Sequence, residues 1–138
     1  MLFRSLKLFL AEVEAFAKQH EGDAALAEFI APLRAKCGEW GKLTIDVLTR
    51  AAGNPEELGA ASTDYLFYSG YVVLAYWWAR SVAAADASDR PQAFKDAKRE
   101  TARFYFARVL PRTLAHKAAI EAGAQTLMAL PDAGFGAY

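Results

Sequence analysis

Two histidines, His20 and His116, and a single cysteine, Cys37, are the side chains of this sequence best suited to acid–base, nucleophilic or metal chemistry. Their spacing supports little of it. A di-iron centre inside a helical bundle needs Glu-x-x-His on two helices, but Ala17 stands three residues before His20 and Thr113 three before His116. A zinc cluster needs more ligands than these three residues supply. Glu12 and Glu14 lie two apart, so on a helix they point to different sides and form no acid–base pair. No G-x-G-x-x-G or Walker loop, no G-x-S-x-G and no H-E-x-x-H occurs. The reading is therefore that the chain holds no catalytic, cofactor-binding or metal-binding residue. His116 is read as a surface group near one end of the helices, and Cys37 as a packed thiol.

Two surfaces carry a clearer pattern. Between Arg90 and Lys117 the cations outnumber Asp96 and Glu100, and Lys95, Arg99 and Arg103 recur every four residues on one helix face. They read either as a solvated face paired with acids of the first two helices, or as a docking stripe for an acidic surface or a phosphate-bearing ligand. As exposed pairs they would add only about 0–1 kcal/mol each. The second surface is the run from Tyr65 to Ala79, which holds seven aromatic residues and is apolar nearly all round. That exceeds what one packing layer consumes. Tyr68, Tyr71, Tyr76 and Trp78 are expected to include residues exposed in a lone protomer and covered by a neighbour.

The elements that must position these residues are helices. The chain has 138 residues, with 30 alanines against five prolines, a strong helical bias. Leu2, Leu6, Phe9, Val13 and Phe16 keep a four-three alternation over about residues 2–19. Leu26, Ile30, Leu33, Cys37, Trp40, Thr44, Val47 and Ala51 continue it after an Asp23 N-cap. Gly38 and Gly41 flank Trp40 and predict a close helix approach there, and Gly53 suits a left-handed helix end. Asn54-Pro55-Glu56-Glu57 then reads as a helix start. A third long helix is expected over about 62–85. A fourth starts near Pro91 and extends towards Ala129, burying Phe94, Ala97, Thr101, Phe104 and Tyr105, then Leu114, Ala118 and Leu127. The expected architecture is all-α: an antiparallel up-down four-helix bundle over 1–131, with an irregular tail over 132–138.

Composition narrows the function. Lys+Arg and Asp+Glu both number 16, without the cationic excess of a nucleic-acid binder. The Tyr65–Ala79 run is shorter than the ~20 residues of a membrane span. The N-terminus lacks the unbroken apolar core of a signal peptide. A cytoplasmic, reduced setting is the expectation.

Three strings are more specific: FLAEVEAFA at 9–17, TARFYFARVLP at 101–111 and AGAQTLMALP at 122–131. With the aromatic Tyr71–Arg80 segment between them, the chain resembles the C-terminal extension domain of long bacterial acyl-CoA dehydrogenases. That group includes enzymes similar to 3-methylmercaptopropionyl-CoA dehydrogenase. The resemblance implies a parent whose separate core carries FAD, the acyl-CoA thioester and the catalytic glutamate, none of which maps onto this chain. It implies an accessory role in domain packing or oligomer assembly, with the catalytic core or another copy of the chain as partner. A stand-alone helical interaction module and an apolar small-ligand-binding bundle are the alternatives.

Overall fold

The computed structural model describes residues 2–136 and, among them, contains helices and no strand. Helix α1 covers Leu2–Gln19, α2 Ala24–Gly53 and α3 Glu56–Ala87. Helix α4 covers Gln92–Phe104, runs through a π-helical turn at Tyr105–Val109 and a 3-10 turn at Leu110–Arg112, and resumes as α5 over Thr113–Ala122. Helix α6 spans Gln125–Met128, and a 3-10 segment over Asp132–Gly136 stands where an irregular tail was expected. Residues 137 and 138 of that expected tail lie outside the described residues.

The two N-terminal apolar rows fold as their spacing requires. Leu6, Val13 and Phe16 are buried, as are Leu26, Ile30, Leu33, Cys37, Trp40, Thr44 and Val47. The Leu2 side chain lies outside the described residues. Asp23 caps α2 by accepting the Ala25 N–H at 3.0 Å. Helix α2 passes through Pro32 unbroken. Asn54 Oδ1 accepts the Glu56 N–H at 3.2 Å and starts α3. Neither Gly59 nor Ser62 interrupts α3, which begins at Glu56, six residues before the expected start near 62.

The glycines behave differently from expectation. A Cβ on Gly38 would meet nothing within 4 Å, and one on Gly41 would only touch Leu10 at 4.0 Å. Trp40 is instead held by rings: Phe9 of α1 at 5.8 Å and Tyr65 of α3 at 6.4 Å between centroids. Gly53 stays helical in α2; the positive-φ glycines are Gly22 and Gly123.

The last helix departs most. The buried row is Ala102, Tyr105, Leu110, Thr113, Ile120 and Ala124. Ala97, Thr101, Phe104, Leu114, Ala118 and Leu127 are exposed, against expectation. Pro111 supplies the physical reason beyond Phe104. It has no N–H, and in an α-helix its ring would collide with the carbonyl four residues back. The chain widens ahead of it, so that the Leu110 N–H reaches Tyr105 O, five residues back. One extra residue turns every later side chain by about 100°. Ahead of the π turn, the partly buried edge is made by Phe94, which is half-buried rather than core, with Lys95, Lys98 and Arg99, whose long stems cover apolar surface while their charged heads stay at the rim.

Contacts between helices follow a regular order. Arg50 meets Glu57, Thr44 meets Tyr65, and Glu39 meets Tyr68, moving steadily away from the α2–α3 connection. Glu14 with Arg34 and Phe9 with Trp40 link α1 to α2 in the same manner. Asp86 with Arg99, Trp78 with Tyr105, and Asp64 with His116 link α3 to α4 and α5.

Gly123 ends α5 at φ +73 and ψ −170, a region open essentially to glycine alone. A Cβ there would stand 2.8 Å from Arg50 Nη1 and 3.2 Å from the Glu57 carboxylate. Glu57 also accepts the Ala124 N–H at 3.2 Å, and Arg50 donates to Ile120 O at 2.8 Å. Gly123→Ala should therefore cost about 1–3 kcal/mol in urea unfolding. Gly22→Ala, at φ +86 with nothing within 4 Å of the new carbon, should cost less. Equal losses would mean that the Arg50–Glu57 clasp does not constrain Gly123.

Candidate functional site

Of Tyr68, Tyr71, Tyr76 and Trp78, some of which are expected to be exposed, Tyr68 and Tyr76 are core, at 0% and 2% exposure. Their phenols explain why such polar groups can be buried. Tyr68 Oη donates to Glu39 Oε1 at 2.6 Å, and Tyr76 Oη to Glu12 Oε1 at 2.9 Å. Tyr76 also takes edge-on contacts from Phe9 and Phe16. Tyr71 and Trp78 are half-buried: Tyr71 stacks on His116, and Trp78 faces Tyr105 at 6.4 Å. The uncovered side of α3 belongs to other residues. Leu66, Gly70, Leu74 and Trp77 follow a four-four-three spacing and are exposed, with Phe67 beside them. Leu66 is 70% exposed and Trp77 51%. Arg80 lies 5.1 Å over the Trp77 ring and bounds this face.

The face continues over Leu66 into an apolar cavity of about 690 Å³ between α1, α2 and α3. A second cavity, of about 430 Å³, lies between α2 and α5 and is lined by Arg34, Glu39, Lys42, Asp46, Lys117 and Glu121 among others. Charges of both signs alternate around it.

The basic row of α4 is engaged within the chain. Arg103 grips Glu28 of α2 with both Nε (2.9 Å) and Nη2 (2.8 Å). Arg99 donates to Asp86 Oδ2 at the end of α3 (2.6 Å), to Glu28 Oε1 (3.4 Å) and to Ala25 O. Lys95 donates to Asp86 O at 3.2 Å. The hydrogen bonds of Arg103, opposed in part by burial, hold the Glu28 carboxyl below its usual range. Arg99, with its side chain only 17% exposed, is a pin between three helices rather than a solvated cation.

His116 is placed by contacts that no spacing rule reveals. Its Nδ1 lies 2.8 Å from Asp64 Oδ1, and its ring stacks on Phe67 at 5.3 Å and Tyr71 at 5.6 Å. Cys37 is buried, and desolvation pushes its thiol up to about 11, away from thiolate chemistry. Glu39 sits among Lys36, Tyr68 and Lys117. Burial pushes its carboxyl up, but hydrogen bonds from these three outweigh it and bring the value down to about 2. Among the described residues no three His, Cys, Asp or Glu side chains gather in a metal-binding group, and no helix is long and apolar enough to cross a membrane.

The geometry defines an all-helical domain with satisfied buried phenols, internally paired cations and an uncovered apolar face on α3, with further exposed apolar side chains at Leu127, Met128, Leu130 and Phe135. Residues 9–131 match the family described as "Acetyl-CoA dehydrogenase C-terminal like", and the chain belongs to that family. No curated protein and no solved structure gives a match.

Two outcomes follow for stability. Arg99→Gln should cost about 1 kcal/mol, because it breaks charge-assisted hydrogen bonds to exposed acceptors on two other helices and removes a guanidinium whose side chain is only 17% exposed, whereas Lys95→Gln should fall within about 0.5 kcal/mol. Equal, negligible losses in thermal melts would return Arg99 to the solvent. The lowered carboxyls of Glu39 and Glu28 set a pH window. A depressed folded value contributes stability above the ordinary 4.5 and loses it as pH falls towards 2. Unfolding free energy should thus drop between about pH 4.5 and 2, and Glu39→Gln should flatten that drop while lowering stability at pH 7.

Proposed function

We propose that this chain is the accessory C-terminal helical domain of an FAD-dependent acyl-CoA dehydrogenase. By itself it is non-catalytic, and it serves to pack the catalytic core or to assemble the oligomer in the cytoplasm. Its long helices form an antiparallel up-down bundle, with α4 and α5 together as the fourth member. The stepwise contacts of each helix with the next support that arrangement. The observation that carries the functional reading is the uncovered α3 face, Leu66, Phe67, Leu74 and Trp77, on a chain of this family. Exposed apolar patches of a few hundred Å² mark association surfaces.

The groups present do not fit FAD. A dinucleotide needs a glycine-rich turn or a cationic cradle for its pyrophosphate. The apolar cavity is lined by no cation, and the charged one sets Glu39, Asp46 and Glu121 beside its lysines. The flavin, the thioester site and the catalytic base therefore belong to the parent's core.

The isolated chain should purify colourless and reduce no dye with acyl-CoA substrates. Mixed with the core polypeptide of its parent, it should form a complex that Leu66→Glu with Trp77→Glu weakens at least tenfold, without moving the melting temperature by more than a few degrees. Sedimentation across a concentration series separates this from self-association. A chain that neither dimerises nor binds the core would overturn the reading.

A further inference from the structure

We infer that the cavity between α1, α2 and α3 binds the alkyl chain of a single-chain amphiphile. This goes beyond the assembly role and does not depend on it. The cavity is about 690 Å³, within the range of small-molecule sites. Its walls are apolar, led by Leu6, Phe9, Trp40, Leu58, Leu66 and Val73, and none of its lining side chains is charged.

The few hydroxyls in the lining are turned away from a ligand. Ser62 donates to Gly59 O at 2.9 Å, Ser69 to Tyr65 O at 2.7 Å, and Thr44 to Trp40 O at 2.8 Å. With the Thr44 proton spent, the 2.7 Å contact to Tyr65 Oη makes the phenol the donor to Thr44. Trp40 Nε1 has no partner, but it is sealed inside the wall. The open volume thus presents methyl groups, ring faces and hydroxyls without a free proton. An aliphatic chain gives up no hydrogen bond on entering it, whereas a polar group would give up its water without replacement. Ser5, the remaining hydroxyl-bearing wall residue, is exposed to solvent, which suits a polar head left in water. A docked helix is a poor occupant. At about 10 Å across and 5.4 Å per turn, it would fill this space in under two turns.

The test titrates the 138-residue chain with octanoate, decanoate and dodecanoate below their micelle concentrations. It follows the Trp40 indole N–H by NMR, assigned with Trp40→Phe. One site should saturate, and each added methylene should tighten binding roughly fourfold, so each two-carbon step about sixteenfold until the cavity is full. Ser69→Trp and Ser62→Phe fill the cavity from two points on α3 about two turns apart. Each should weaken dodecanoate binding at least tenfold, and melting curves identify which variant remains folded. Affinity independent of chain length would overturn the inference. So would binding undiminished in a folded blocked variant, or a chain dimer that either block dissolves, which would make a second copy the occupant.

Discussion

A helix that is apolar on nearly every side has to be covered on nearly every side, and α3 imposes that condition on the rest of the chain. Its aromatic residues cannot all meet one neighbour. Tyr76 is held by Phe9 and Phe16 of α1, Tyr68 by Glu39 and Lys36 of α2, and Tyr71 and Trp78 by Tyr105 and His116 beyond the last loop. Each buried phenol also needs an acceptor in that low-dielectric setting, and carboxylates on two different helices, Glu12 and Glu39, supply them. Where the neighbours run out, the remaining apolar row of α3 stays open. That uncovered row is the surface proposed above for association.

Charge in this protein closes joints. Arg50 ties the start of α3 to the end of α5 through Glu57 and Ile120 O. Arg99 and Arg103 tie α4 to the start of α2 and the end of α3. Lys36 and Lys117 meet at Glu39. The Arg50 and Arg99 pins sit beside the α2–α3 and α3–α4 connections, and the Glu39 pin lies midway along α2 beside buried Tyr68. Glu28 and Glu39 are each shared among several donors, which lowers their folded-state proton affinity, so acid should loosen these two joints. The uncovered α3 face lies apart from these joints, so its use does not compete with them.

The π turn at Tyr105–Val109 shows a local covalent constraint shaping a distant surface. Pro111 cannot complete an α-helical turn, the ribbon takes in one extra residue, and the side chains beyond it rotate. His116 thereby lies against Asp64, Phe67 and Tyr71, while Leu114 faces water. A regular helix drawn through Pro111 would put the wrong row inside, as the simple periodicity of this segment does.

The sequence alone determined the helical class, the rows of α1 and α2, the Asp23 and Asn54 starts, and the resemblance that the family match bears out. Those features rest on local periodicity, capping chemistry and ordered strings of residues, all of which act over a few neighbours in the chain. It also indicated that α3 carries more apolar surface than one layer consumes. Which residues of α3 remain outside was decided only by tertiary structure. Tyr68 and Tyr76 went in because Glu39 and Glu12, 29 and 64 residues away, were positioned to take their protons. Leu66, Leu74 and Trp77 stayed out because no later helix returns over them. The α4 cations likewise became pins only when Glu28 and Asp86 arrived opposite them. An aromatic or a basic row in sequence states what a surface can do; the partner that folding brings to it decides whether it is core, joint or interface.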